Sequence, residues 1–277
     1  MALTVDHEKW LGYIAAMTSL VQYEKKNGIA VLTLNNPPAN AYSYAMMQAL
    51  DARILEARMD AEVHVIVLTG AGDKFFCAGA DISMLGEVDP EFKYYFCLHA
   101  NETLGRLEQT PKLVIAALNG HTVGGGLEIA MAADLRIAKT GGGKMGLPEV
   151  ALGVLPGTGG TQRLIRLVGK AKAMELMVTG KSMDFNEAKN LGLVHELMPA
   201  ENFLEAALEY ATQFCPPHRA SKAVGMIKRA VVSGNEMSFT DGLALERELQ
   251  QRLFTSQDAK RGIQGYLEKQ KPEFQGN

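Results

Sequence analysis

Two glutamates in apolar settings are the residues most suited to proton chemistry. Glu128 falls in "GGGLEIAMAADLRIA", in the first turn after three consecutive glycines, with Ile129, Met131 and Ala132 around it. Glu149 falls in "MGLPEVALGVLPGTGG", between Pro148 and an apolar run. Burial raises a carboxyl pKa and a helix N-terminus opposes the rise, so such a group is tuned towards neutrality. Two acids at one site divide the roles of proton acceptor and donor. A glutamate that caps its helix and faces water fits the same pattern. A helix, a strand and a return loop fit between the two, and spacing alone does not bring them together.

Two stretches offer backbone donors. Gly124, Gly125 and Gly126 open a helix, where N–H groups lack intrahelical partners and the dipole favours an anion. Ala78, Gly79 and Ala80 in "FFCAGADI" are small residues that expose backbone in the same way. Amides from two loops aimed at one oxygen form an oxyanion hole. A tight strand-to-helix turn and a close loop crossing account for the same residues without a ligand. Nucleotide binding is excluded on spacing: no GxGxxG follows the strand, and Lys144 after Gly141, Gly142 and Gly143 lacks the Walker spacing and its Ser/Thr.

The elements that must hold these residues are legible in the periodicity. "GIAVLTL" (28–34), "VHVIVLTG" (63–70), "LVIAALNG" (113–120) and "DLRIAK" (134–139) read as strands. Helical stripes separate them, one capped by Ser43 and another beginning near Phe92. Alternating strands and helices predict an α/β fold with a largely parallel sheet. Strand signals end at Val194, and helices follow. The chain divides into an N-terminal extension (1–21) that forms a helix or a disordered arm, a core (22–199) and a C-terminal helical region (200–277) that must pack on something.

Bulk properties exclude several classes. The 277 residues carry a net charge of −3, which supports neither nucleic-acid nor membrane partners. Three cysteines far apart argue for a reducing compartment rather than a disulfide framework. No zinc-ligand spacing and no GxSxG occur. The N-terminus lacks a basic leader, so a cytoplasmic location is expected. His121 reads as a loop residue held by local hydrogen bonds, and Cys77 as a small apolar filler. Asp134 reads as a structural partner of Arg136 or Arg163.

Together, "FCAGADI", "GGGLEIAMAADLRIA" and "LPEVALGVLPGTGGTQRL" resemble the enoyl-CoA hydratase (crotonase) family in order and spacing, from about Gln22 to Phe274. The resemblance implies a crotonase-like spiral of ββα units followed by a C-terminal helical trimerisation region. It implies an acyl-CoA thioester substrate and a homo-trimer or hexamer. By position, the N–H groups of Ala80 and Gly125 form the oxyanion hole, and Glu128 and Glu149 take the places of the two catalytic glutamates. Ala78, Asp81 and Ile82 match the CoA and acyl groove; Tyr266 and Lys269 match residues that contact CoA, often from a neighbouring subunit. Water is added across the 2,3 double bond of a 2-enoyl-CoA, giving a 3-hydroxyacyl-CoA. No metal or other cofactor is needed, coenzyme A being part of the substrate. Double-bond isomerase, hydrolase and decarboxylase remain as alternatives inside the superfamily, and a non-catalytic or RNA-binding module outside it. The presence of both glutamates favours hydration. Met145 and Leu147 depart from the aromatic and polar residues common there, and Tyr42-Ser43-Tyr44 is expected to narrow the groove.

Overall fold

The structure, a computed structural model, describes residues 19–277. The expected N-terminal helix or arm lies outside the described residues up to residue 18, and Val21 already pairs with Leu34.

After the hairpin of β1 (Val21–Lys26) and β2 (Ile29–Leu34) and the helix α1 (Tyr44–Met59), one pattern recurs. A long strand is followed by a short strand and then by helix. The first such unit is β3 (Val65–Gly70), β4 (Phe75–Cys77), α2 (Ile82–Glu87) and α3 (Pro90–Gln109). The second is β5 (Leu113–Leu118), β6 (His121–Val123) and α4 (Gly125–Met131). The third is β7 (Leu135–Lys139), β8 (Lys144–Gly146), a tight helical turn (Glu149–Leu152), α5 (Gly160–Val168) and α6 (Lys170–Thr179). β9 (Met183–Asp184), α7 (Phe185–Asn190) and β10 (Glu196–Met198) follow. The chain ends in α8 (Phe203–Thr212), α9 (Ser221–Gly234), α10 (Phe239–Phe254) and α11 (Gln257–Glu268).

The long strands make one sheet in the order β1-β2-β3-β5-β7-β10, parallel except for β1. Their side chains alternate between two apolar cores, as the period of two requires for a sheet covered on both faces. Leu32, Ile66, Leu68, Val114 and Ala116 enter the larger core; Val31, Val65, Val67 and Ile115 enter the smaller. The smaller core is closed by α8, whose Phe203, Ala207 and Ala211 recur every four residues and so lie along one stripe. The first helix beyond Pro199 thus packs on the main sheet. Full burial of a side chain such as Phe203 contributes roughly 1.5–3 kcal/mol.

The short strands make a second sheet, β4-β6-β8-β9, in which β4, β6 and β8 run parallel. Neighbouring strands lie about 4.8 Å apart. The loops that leave β4, β6 and β8 therefore emerge side by side. They carry Ala80, Gly125 and Glu149 respectively.

Several boundaries differ from the sequence reading. β10 lies beyond Val194 and pairs with β7 through three residues, too few to show an alternation. The helix expected from Phe92 begins at Pro90, because the Asp89 side chain accepts the Phe92 N–H at 2.7 Å and Pro90 suits the first turn. Ser43 caps α1 as expected, accepting from Met46 N–H.

Candidate active site

Glu128 is 2% exposed, on the first turn of α4. Its Oε1 accepts N–H groups from Thr158 and Gly160, each at 2.7 Å. Oε2 makes no hydrogen bond to the described residues. Burial pushes the carboxyl up to about 7; the Gly160 amide opposes this, the charge of Glu149 adds to it, and the Thr158 amide and Arg163 oppose it. The loop carrying Thr158 is itself held, because Arg163 donates to the Thr158 carbonyl at 2.9 Å and pairs with Glu108 at 2.7 Å.

Glu149 starts the helical turn after β8. Its Oε2 is buried without a hydrogen-bond partner among the described residues. Burial raises its pKa as well, with Lys93 opposing. Oε1 faces Gly124, where an added Cβ would stand 2.9 Å from it. Gly124 also holds φ 57° and ψ −130°, which disfavours any side chain. Glycine is required there on both counts.

The loop after β4 crosses the start of α4 closely: a Cβ on Gly79 would lie 3.1 Å from the Gly125 nitrogen. Tyr42 brackets Ala80, its N–H donating to the Gly79 carbonyl at 2.9 Å and its carbonyl accepting from Asp81 N–H at 3.0 Å. Successive amides of extended chain point to opposite sides, so the Ala80 N–H faces away from Tyr42. The Gly125 N–H is the first of its helix and has no intrahelical acceptor. Neither amide has a hydrogen-bond partner among the described residues. Two free amides and two acids of raised pKa thus converge at the ends of three adjacent strands. Such an arrangement is chemically suited to polarising a carbonyl and to moving protons beside it.

The sequence family described as enoyl-CoA hydratase/isomerase matches this chain over residues 24–277. The chain belongs to the enoyl-CoA hydratase/isomerase family. Among its relatives is a short-chain-enoyl-CoA hydratase of Clostridium acetobutylicum, 39% identical, with 90% of this chain and 95% of the relative covered. Another is the 2,3-dehydroadipyl-CoA hydratase of Escherichia coli, 35% identical over 91% and 97% of the two chains. The solved structure of an enoyl-CoA hydratase from Geobacillus kaustophilus superimposes with a TM-score of 0.91 at 42% identity, covering 94% of this chain and 97% of that one. The crotonase-type spiral of the enoyl-CoA hydratase/isomerase family is therefore the fold of this chain.

The other positions named from the sequence fall in two places. Ala78 and Asp81 lie on the loop after β4, and Ile82 opens α2. Ile82 is 63% exposed, whereas the Asp81 carboxylate caps α2 by accepting from Ser83 and Met84 N–H groups. Tyr266 and Lys269 lie at the end of α11; Tyr266 is 85% exposed and Lys269 forms the left-handed cap. Nothing described joins these two to Glu128 or Glu149 within the chain.

Three expectations are corrected. Asp134 pairs with Lys228 at 2.9 Å and accepts from Val114 N–H at 2.7 Å, because α9 brings a buried lysine to it. Arg163 pairs with Glu108 instead, and Arg136 donates to the carbonyls of Leu193 and Ala133. Tyr42 narrows no open groove, since it is buried behind Gly125. His121 opens β6 rather than lying in a loop, and it accepts from a residue distant in sequence, the Lys144 N–H of β8 at 3.1 Å. Cys77 is buried, which pushes its thiol up to about 12 and leaves it inert. Met145 and Leu147 are buried, and Leu147 flanks Gly160 beside Glu128.

The sequence reading missed the amides of Thr158 and Gly160. The glycine-rich "GTGGT" (157–161) that supplies them was visible only as a motif. Among the described residues no group of three or more His, Cys, Asp or Glu side chains is arranged to hold a metal ion.

Proposed function

We propose that this chain is an enoyl-CoA hydratase, adding water across the 2,3 double bond of a 2-enoyl-CoA to give a 3-hydroxyacyl-CoA. The observation that carries this reading is a buried and a half-buried carboxyl, both of raised pKa, beside two unpartnered backbone amides. Relatives named as hydratases support the same reaction class.

The thioester oxygen accepts the Ala80 and Gly125 N–H groups. Charge develops on that oxygen as a water attacks C3, and each preorganised donor is worth roughly two to three orders of magnitude in rate. Glu128, ionised, takes the water's proton while the hydroxide bonds to C3. Glu149, protonated, delivers a proton to C2 as the enolate collapses. One water is consumed and no electrons are exchanged, so the reaction balances without metal or redox cofactor. Proton exchange with solvent restores Glu149 and discharges Glu128. The burial that raises both acids also keeps out other waters. Ala78, Asp81 and Ile82 border the groove, and Tyr266 and Lys269 reach CoA from a neighbouring subunit of a homo-trimer or hexamer. The enzyme works in the cytoplasm, with neither membrane nor nucleic acid as partner. Its three free cysteines support a reducing compartment.

The test is turnover of crotonyl-CoA, followed at the absorbance of the conjugated thioester, together with branched and cyclic enoyl-CoAs. Loss of the conjugated band with formation of 3-hydroxyacyl-CoA supports the reading. Absence of hydration across the panel, with folded protein, refutes it.

A further inference from the structure

Tyr42 touches the segments that carry Ala80, Gly125 and Thr158 without lining the proposed site. Its main chain brackets Ala80 on both sides. The edge of its ring lies against Gly125 so closely that a Cβ there would overlap it. Its hydroxyl lies 2.8 Å from Thr158 Oγ1, and the N–H of Thr158 is one of the two donors on Glu128 Oε1. The ring is fixed from behind by Phe96, stacked at 5.6 Å between centroids. A smaller apolar side chain would fill part of the same core but would leave Thr158 Oγ1 without this buried partner.

We propose that Tyr42 is a positioning residue: through Thr158 its hydroxyl holds the amide that anchors Glu128, in register with the Ala80 and Gly125 amides. This inference rests on the hydratase reading. A braced Thr158 keeps its N–H aimed at Oε1, which favours the ionised carboxylate needed to accept a proton. Phenylalanine retains the ring against Gly125 and the backbone around Ala80 and removes the brace alone. The charged and titratable groups facing Glu128 are Glu149, Arg163 and Tyr42 itself; those facing the Tyr42 hydroxyl are Glu128, Cys77 and Cys97. Burial holds the Cys77 thiol in its neutral form, and Glu128 is the partner that registers the change.

The experiment compares Tyr42→Phe, Thr158→Val and the double variant on crotonyl-CoA. Loss of one buried hydrogen bond predicts that kcat falls about three- to tenfold in each single variant. KM stays within about twofold, as expected for an interaction that acts on the base rather than on substrate binding. The acidic limb of kcat/KM moves to higher pH, because Glu128 loses support for its ionised form. The double variant is no more than about twofold worse than the poorer single, since both cut one connection. Unchanged kcat and pH limb in Tyr42→Phe overturn the proposal. So do multiplying losses in the double variant, or losses explained by a smaller folded fraction with the limb unmoved. If the wild type itself hydrates none of the enoyl-CoAs, the hydratase reading fails separately. The brace is then judged from unfolding: the pH at which the stability gap between each protein and its own Glu128→Gln counterpart stops widening rises in Tyr42→Phe, and an unmoved upper limit overturns it.

Discussion

Replacing Glu128 by glutamine should remove activity and stabilise the fold in the same step. The glutamine carbonyl oxygen still accepts the Thr158 and Gly160 N–H groups that hold Oε1. What disappears is the burial of an ionisable group. Glu128 has an ordinary value of 4.5 and is raised to about 7 in the folded chain. Between these values the unfolded chain has lost its proton while the folded chain keeps it. Folding stability therefore falls as pH rises through this window and stays lower above it. Each pH unit corresponds to about 1.4 kcal/mol, so the wild type carries a penalty of about 1 kcal/mol at pH 5 and about 3 kcal/mol at pH 8. Glu128→Gln has no such penalty. Urea unfolding of both proteins at pH 5 and pH 8, at one protein concentration so that assembly does not intervene, gives the difference directly. The variant should gain about 2 kcal/mol on the wild type between the two pH values. An advantage that is equal at both, or that shrinks at pH 8, would refute the claim that this carboxyl is held protonated by burial. Crotonyl-CoA turnover of the same variant should fall by roughly 10²–10⁴, the usual worth of a general base.

Glu149→Gln should lower kcat by roughly 10²–10⁴ with acyl-CoA affinity little changed; wild-type kcat would remove this acid from the mechanism. Gly124→Ala should destabilise by about 1–3 kcal/mol from backbone strain and displace Glu149, whose Oε1 would meet the new Cβ at 2.9 Å; thermal melting and kcat measure the two effects, and an unaltered kcat would contradict the contact. Lys228→Met should destabilise by about 3–5 kcal/mol, because it strips Asp134 of its buried partner; the pair Asp134→Leu with Lys228→Met should restore part of this loss, as read by urea midpoints. Light scattering after size separation should give a mass of three or six chains, and a stable active monomer would exclude the assignment of Tyr266 and Lys269 to a neighbouring subunit.

The long elements were legible because their patterns repeat enough to count. Val65 to Leu68 and Val114 to Leu118 are apolar on both faces, as strands between two cores must be. The second sheet was not legible. Its strands hold two or three residues each, too few for any period, and "FFC", "HTV" and "KMG" share no composition. Yet that sheet decides the site. Glu128, Glu149, Gly125 and Ala80 could be named from their motifs, but what brings three of them together is that β4, β6 and β8 are adjacent and parallel, so that successive units end at one edge. The same reasoning explains the misplaced ion pair. Asp134 had arginines nearby in sequence, but its partner Lys228 comes from a helix more than ninety positions on, and packing rather than periodicity delivers it. Tyr42 follows this rule as well. In "NPPANAYS" it reads as a residue that narrows the groove. Only the bridge to Ala80, the glycine at 125 and the hydroxyl at 158 make it internal, and each depends on a different distant segment. The parts of this chain that do chemistry are thus short local motifs whose meaning is set by long-range pairing, so the motifs were readable and their joint geometry was not.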